Sequence, residues 1–135
     1  MTQQGRTNQE IAEQGMRARR DVLGDAHVDR AVAGTTEFTA PFQDFITRYA
    51  WGEIWGRPGL TKAERSIITL TALAVLRQDE ELAMHVRGAL RNGLTPAQIQ
   101  EVLLQVAVYA GVPAANRAFA IAQRTLASAG ADGGS

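Results

Sequence analysis

The sequence predicts an all-α protein, a single-domain helical bundle of about six helices. Residues that start or stop helices mark almost every boundary, and no stretch alternates apolar and polar residues between hairpin turns. Two successive helices in the second half are apolar on most sides, which is more apolar surface than a small monomer can cover. We therefore expect the bundle to assemble as a homo-oligomer.

An N-terminal arm is predicted over residues 1–24. Its helix runs from about Asn8, a good N-cap residue, to Leu23, and Gly24 ends it. Only a thin apolar stripe follows this helix, so we expect the arm to pack on the surface of the bundle.

Two helices are predicted between the arm and the centre of the chain. The first is short, covers residues 28–33 and stops at a glycine. The second opens at Thr39, has Pro41 in its first turn and continues through Trp55. The Gly-Arg-Pro-Gly sequence of residues 56–59 ends it.

Four helices follow closely in the second half, over about residues 61–76, 79–92, 95–110 and 113–127. Capping-box spacing opens the first and third of them, at residues 61–64 and 95–98. The first is apolar nearly all round and should be central. We expect residues 1–127 to form the single domain, and residues 128–135, rich in glycine and alanine, to form a disordered tail.

The composition narrows the possible functions. The 14 basic residues balance the 14 acidic ones, so no overall field attracts nucleic acid or an acidic membrane surface. Absence of cysteine excludes thiol chemistry and sulfur-based zinc sites, and two histidines alone make a transition-metal site unexpected. No apolar run approaches the roughly 20 residues that span a bilayer, and no secretory signal opens the sequence. We expect a soluble cytoplasmic protein that binds neither nucleic acid nor membrane.

His85 is the first candidate for acid/base chemistry. It lies in the middle of its predicted helix, and Glu81 precedes it by one turn on the same face. The carboxylate could orient the imidazole ring, and such a pair can serve as a general acid. A half-buried histidine with a solvated salt bridge would have the same spacing, so both interpretations stay open.

Further polar side chains could complete an acid-binding site. Gln78 lies on the His85 side of the helix, whereas Glu80 points more nearly away. Arg65 comes just before the buried run of its helix, where its guanidinium could clamp a carboxylate in bidentate fashion. The local pattern fits a surface arginine beside Glu64 equally well.

Aromatic residues and one helix break are further candidates. Trp51 and Trp55 lie one turn apart and could form the wall of an apolar pocket, although aromatic residues at this spacing usually belong to a core. Tyr109 and Asn116 flank the break at Gly111, beyond which a new helix presents free amide groups. Both side chains could bind a ligand or simply hold the corner together.

Four segments in combination resemble the 4-carboxymuconolactone decarboxylase family. They are Arg-Ser at 65–66, Glu-Glu-Leu-Ala-Met-His at 80–85, Arg-Asn-Gly-Leu-Thr at 91–95 and Tyr-Ala-Gly-Val-Pro-Ala-Ala-Asn at 109–116. The resemblance extends from about Arg17 to Leu126. It implies an alkylhydroperoxidase D-like fold, from a superfamily in which a glutamate and a Cys-x-x-Cys-x-x-x-His motif form a peroxidase relay.

Aligning that relay on His85 puts Gln78 and Glu81 at the cysteine positions and Ser66 at the glutamate position. Peroxidase chemistry is therefore not expected. The resemblance implies instead a carboxy-lyase that converts 4-carboxymuconolactone to β-ketoadipate enol-lactone and carbon dioxide without a cofactor. This reaction belongs to the protocatechuate branch of the β-ketoadipate pathway of aromatic catabolism, and the family is typically a homo-oligomer, often a hexamer.

The roles of individual residues follow from that resemblance. We predict that Arg65 binds a carboxylate of the dianionic lactone and that His85 donates the proton. Glu81 either orients His85 or disfavours the charged form of the departing carboxylate. The remaining predicted substrate-binding residues are Gln78, Tyr109, Asn116 and Trp55, with Arg87 and Arg117 as the next candidate clamps and no metal ligand.

Two other functions remain open at this stage. The chain could be an enzyme of the same superfamily that acts on a different lactone or cyclic acid, because a fold does not fix a substrate. It could also be a non-catalytic helical oligomer that binds a small acid or a partner helix, with His85 purely structural.

Overall fold

A computed structural model of the chain describes residues 5–131 and contains only helices in that range. The prediction of an all-α protein is confirmed for these residues. The elements are α1 (Asn8–Leu23), α2 (Asp25–Ala33), α3 (Ala40–Ile46), a π-helical segment (Thr47–Ile54), α4 (Lys62–Val75), α5 (Asp79–Arg91), α6 (Pro96–Ala110) and α7 (Val112–Ala131). None of the described helices is both long enough and apolar enough to span a membrane.

The helices divide into two compact units. The first ends at Thr61 and contains α1 to α3 with the π-helical segment, and the second begins at Lys62 and contains α4 to α7. Each unit is compact through its own contacts, and a single domain over residues 1–127 stays a prediction.

Helix α1 packs against the π-helical segment through two glycines. A Cβ atom added at Gly15 would lie 2.0 Å from the carbonyl oxygen of Thr47, and one added at Gly52 would lie 2.6 Å from that of Ile11. Side chains are therefore excluded at both positions, and the two backbones approach closely. Because of this close approach, α1 belongs to the core of the first unit, and its Val22 is completely buried. The thin apolar stripe of α1 had indicated less burial.

The start of α1 differs by one residue from the predicted N-cap. Thr7, not Asn8, caps the helix, because its Oγ1 accepts a hydrogen bond of 3.1 Å from the backbone N–H of Glu10. The Glu10 carboxylate accepts in return from the backbone N–H of Thr7 at 3.0 Å. The two residues form a complete capping box.

The π-helical segment was not expected from the sequence. Its residues had the spacing of one continuous helix from Thr39 to Trp55. Eight residues form only about two helical turns, which are too few to distinguish the π-helical period from the α-helical one. The same segment stacks Trp51 on Trp55 with ring centroids 5.2 Å apart. Trp51 is buried and Trp55 is half-buried, so Trp51 is a core residue.

The second unit has one apolar core, to which α4 to α7 all contribute. Helix α4 packs against α5, α6 and α7, in agreement with its predicted central position. Its buried residues are Ser66, Leu70 and Ala74. Other apolar side chains of α4 stay exposed, among them Ile68 at 56% and Val75 at 46%, so this helix is not buried on every side as its sequence suggested.

The last two helices follow the predicted caps. Thr95 and Gln98 form the expected capping box, and Gly111 ends α6 with a φ of +97°, a conformation that favours glycine. Helix α7 continues to Ala131, beyond the predicted end near Ala127, because Ala129 is buried against the unit and alanine favours helix. The predicted disordered tail is thus wrong for residues 128–131, and residues 132–135 lie outside the described range.

The turn between α4 and α5 contains a residue in the left-handed region. Arg77 has a φ of +57°, and the backbone N–H of Gln78 closes the turn on the carbonyl of Leu73 at 3.0 Å. Left-handed backbone costs a non-glycine residue roughly 1–2 kcal/mol.

We expect Arg77→Gly to raise the free energy of unfolding by about 0.5–1 kcal/mol. Glycine removes the cost of the left-handed backbone, but its greater freedom in the unfolded chain cancels part of this gain. Urea unfolding at fixed protein concentration measures it. Arg77→Ala is the matched control, because it removes the same side chain but keeps the strained conformation. Equal effects of the two variants would assign any gain to the side chain instead of the backbone.

Candidate active site

His85 lies on α5 at the border of the core of the second unit. Its neighbours on the helix, Leu82, Val86 and Ala89, are at most 2% exposed and belong to that core, and His85 itself is 8% exposed. An imidazole this far from water interacts strongly with any charge brought next to it. This placement distinguishes His85 from a solvated surface histidine.

Glu81 and Gln78 are both exposed, in contrast to His85. Glu81 precedes His85 by one turn of α5. Gln78 occupies the N-cap position of α5 without a side-chain capping bond, and its carbonyl accepts from the N–H of Leu82 at 2.8 Å. The roles predicted for these two residues remain predictions.

Arg65 is half-buried near the start of α4, beside a polar contact that joins α4 to α5. Asn92, which caps α5, donates from Nδ2 to Oγ of Ser66 at 2.8 Å. Its Nδ2 also lies 3.5 Å from the carbonyl oxygen of Lys62. This contact fixes the end of α5 against the start of α4, so the two helices run antiparallel. His85 lies roughly 10 Å away from the contact along α5, because a helix rises 1.5 Å per residue.

Arg117, a reserve candidate for the carboxylate clamp, is already engaged. Its guanidinium on α7 binds both carboxylate oxygens of Asp79 at the start of α5, with Nε donating to Oδ1 at 2.8 Å and Nη2 to Oδ2. Hydrogen bonding to Arg117 holds the pKa of Asp79 below its ordinary value, and the charges of Arg117, Arg124 and Arg77 add to this. The pKa of Arg117 is raised by the same pair. Arg117 therefore serves to fix α7 to α5.

The depressed pKa of Asp79 gives an expected pH dependence. A carboxyl group whose pKa is lower in the folded state stabilises the protein above its unfolded pKa of about 3.9, and this contribution disappears as pH falls through the folded pKa. We expect Asp79→Asn to have a lower Tm than the parent protein at pH 7, and the difference to shrink as the pH is lowered from about 4 to 3. Melting curves over this range test it, with the neighbouring Glu80→Gln as control. A Tm difference that persists unchanged at pH 3 would contradict the ionic role.

Arg87, the other reserve clamp, lines a groove of about 400 Å³ between α5 and α7 together with Arg124. Asp79 and Glu80 line the same groove, so its charge is mixed. Within the described part of the chain, no group of three or more potential ligand side chains could hold a metal ion.

Tyr109 and Asn116 are exposed on either side of the corner between α6 and α7, with Tyr109 at 83%. They belong to the second unit, as do His85 and Arg65, whereas Trp55 belongs to the first. The second unit thus carries the predicted proton donor, the predicted clamp and, with Gln78, all three predicted polar binding residues.

The model of the carboxymuconolactone decarboxylase family matches residues 40–124, well over half of the sequence. This chain belongs to that family. A 4-carboxymuconolactone decarboxylase from Acinetobacter baylyi is 41% identical over 117 residues, 87% of each chain. A nitrosuccinic acid decarboxylase from Metarhizium robertsii is 40% identical over 116 residues, which is 86% of this chain and 81% of the relative. A 4-carboxymuconolactone decarboxylase sequence from Pseudomonas putida is 54% identical over 39 residues.

The predictions of the family and of a carboxy-lyase are confirmed by these matches. The region that matches the carboxymuconolactone decarboxylase family begins at the first residue of α3 and ends within α7. It includes all the site residues predicted from the sequence, namely Arg65, Gln78, Glu81, His85, Tyr109, Asn116 and Trp55. Helices α1 and α2 lie outside it.

Three polar features of this carboxymuconolactone decarboxylase family member were missed by sequence reasoning. They are the hydrogen bond from Asn92 to Ser66, the ion pair between Arg117 and Asp79, and the burial of Arg19 on α1. Each depends on contacts between residues at least 24 positions apart in sequence. Helical periodicity gives no information about such distant contacts. Arg19 gave one weak signal, since it shares a face with the apolar residues of α1.

Proposed function

We propose that this protein decarboxylates 4-carboxymuconolactone to β-ketoadipate enol-lactone and carbon dioxide without a cofactor. The observation that carries the proposal is the 41% identity, over 87% of both chains, to a relative of that name. The burial of His85 supports it further, since it provides a shielded proton donor within the family match.

The substrate supplies its own electron sink. As the bond from the ring carbon to the carboxylate breaks, its electron pair moves through the ring double bond onto the lactone carbonyl oxygen. The dienolate then takes a proton on the carbon next to that carbonyl, which gives the enol-lactone. The protein has to bind the dianion, stabilise the developing oxyanion and deliver one proton.

In this proposal the buried His85 gives the proton and the half-buried Arg65 holds a carboxylate. Glu81, which is exposed, either orients His85 or acts on the departing carboxylate. Gln78, Tyr109, Asn116 and Trp55 complete the proposed substrate contacts.

We expect Arg65→Lys to raise KM for the lactone about tenfold or more, because lysine keeps the charge but loses the bidentate fork. Initial rates over a range of substrate concentrations measure KM and kcat separately. Arg87→Lys is the matched control, an arginine that lines the groove between α5 and α7. An unchanged KM in Arg65→Lys, with a raised KM in Arg87→Lys, would move the clamp to Arg87.

Nitrosuccinic acid is the second candidate substrate, because the relative named for its decarboxylation is 40% identical over a similar length. The two acids share a chemical pattern. Each is a dicarboxylate in which one carboxylate leaves beside an internal electron acceptor, the unsaturated lactone in one case and the nitro group in the other. A site with one clamp for the retained carboxylate and one proton donor would suit both.

The experiment is a direct comparison of the two acids. Purified protein is mixed with freshly generated 4-carboxymuconolactone or with nitrosuccinic acid, and carbon dioxide release and product formation are followed by NMR with EDTA present. We expect fast conversion of the lactone, and rates within tenfold of each other would indicate a broad site. Conversion of nitrosuccinic acid alone would replace the proposed substrate, and no conversion of either by the folded protein would overturn the proposal. Inhibition by EDTA would refute the cofactor-free mechanism.

A homo-oligomer, which the family resemblance implies to be a hexamer, and a cytoplasmic location are part of the same proposal. Exposed apolar side chains of the second unit support the oligomer, since five of them exceed half exposure: Ile68, Leu76, Val108, Tyr109 and Val112. Sedimentation velocity gives the number of subunits directly.

A further inference from the structure

Arg19 is a buried arginine of the first unit for which the proposed reaction has no use. It lies on α1 and is 6% exposed. Its Nη2 donates to Oε1 of Gln43 at 3.1 Å, and its Nη1 lies 3.5 Å from Oγ1 of Thr47, at the limit of a hydrogen bond. Its Nε is buried without a hydrogen-bond partner.

No carboxylate of the described residues forms an ion pair with Arg19. Both of its bonding partners are neutral, and burial followed by the like charge of Arg20 lowers its pKa. A guanidinium nevertheless stays protonated in proteins. A buried charge is expected to have a charged partner, because an uncompensated one is strongly unfavourable.

A groove of about 360 Å³ adjoins this guanidinium within the first unit. Apolar side chains of Ala12, Met16 and Val32 line part of it, and Gln43 and Thr47 line the part beside Arg19. Two carboxylates also line the groove. Asp44 is neutralised by Arg48 at 3.0 Å, and Glu13 is exposed to solvent.

We propose that this groove binds the carboxylate of a small organic acid on Arg19. Two of the five guanidinium N–H donors are used by Gln43 and Thr47, which leaves donors for a charge-assisted bond to the anion. The apolar walls then contact the hydrocarbon part of the acid. The ligand class is therefore a monocarboxylate with a compact apolar body, and benzoate is a suitable probe. The site lies on α1 to α3 with the π-helical segment and is independent of the chemistry proposed for His85 and Arg65.

The test is ligand-linked stabilisation of the full chain. Melting curves are recorded with increasing sodium benzoate, with sodium acetate and with sodium chloride at the same ionic strength. We expect benzoate to raise Tm by roughly 4–7 °C once it exceeds its Kd about tenfold. Acetate should act more weakly because it has little apolar surface, and chloride should have no comparable effect.

Variants assign the effect to the groove. Arg19→Gln should abolish the benzoate response, whereas Arg65→Gln, which alters the proposed active site, should retain it. Val32→Glu is a second variant, at a position 49% exposed where a substitution is compatible with folding, and its negative charge should also abolish the response. The response in Arg65→Gln separates this proposal from the proposed decarboxylase activity, since either can fail alone.

Three outcomes would overturn the proposal. The parent protein could show no benzoate effect beyond that of chloride, or Arg19→Gln and Val32→Glu could both keep the full response, which would place benzoate elsewhere. The third outcome is that benzoate does not change the Tm of the parent protein, while sedimentation shows fewer subunits per oligomer for Arg19→Gln than for the parent. That result would mean that a carboxylate of a second copy of the chain occupies the groove.

Discussion

Replacement of His85 by glutamine is expected to lower kcat by about 10²–10⁴-fold while the protein remains folded. Glutamine is close to histidine in volume and can keep a hydrogen bond at a buried position, but it cannot donate a proton as an acid. The loss should appear in kcat more than in KM, because the proton is transferred only in the chemical step. Steady-state rates and a melting curve on the same preparation measure both effects.

His27→Gln is the matched control, because His27 is the other of the two histidines and lies on α2 in the first unit. It should retain the turnover of the parent protein. Full activity of His85→Gln with unchanged stability would refute the assignment of His85 as the acid. Equal losses in both histidine variants would point to a general effect on the fold.

Gly15→Ala is expected to cause the largest loss of stability of any single methyl group added to the first unit. The new Cβ would lie 2.0 Å from the carbonyl oxygen of Thr47 and 2.9 Å from the backbone nitrogen of Gly52. Both obstacles are backbone atoms, so relief requires α1 to move away from the π-helical segment. We expect the free energy of unfolding to fall by more than about 3 kcal/mol, measured by urea unfolding at one protein concentration.

Gly130→Ala is the control for the change of residue type. Gly130 lies in α7, and an added Cβ would meet nothing within 4 Å. This variant should be neutral or more stable by up to about 1 kcal/mol, because alanine favours helix. If Gly15→Ala were as stable as Gly130→Ala, the close packing of α1 on the π-helical segment would be incorrect.

Local signals in the sequence were sufficient to predict most helix boundaries. The capping box at Thr95 and Gln98, the stop at Gly111 and the end of α1 at Gly24 each depend on residues within four positions of the boundary. Such contacts are fixed by the local chain and are therefore visible in the sequence. The extension of α7 was missed because it depends on burial of Ala129 by a distant part of the unit.

The sequence was sufficient to predict which residues form the candidate site, but not how deeply each of them is buried. A combination of short motifs indicated the family and with it His85, Glu81 and Arg65. Periodicity placed Glu81 beside His85, yet it could not show that one side chain is exposed and the other buried. Burial of one face depends on which helices cover it, and this is decided by tertiary packing. The bond from Asn92 to Ser66 was hidden for the same reason.

The π-helical segment also has a consequence for how related chains are aligned. A one-residue deletion within Thr47–Ile54 would allow this stretch to become an ordinary α-helix, because the wider π-helical turn accommodates one extra residue. The side chains that follow the segment, beginning with Trp55, would keep their directions around the helix axis after such a deletion. In a comparison with shorter homologues, a gap placed in this segment is therefore compatible with an ordinary α-helix there, with Trp55 and the residues after it still at equivalent positions.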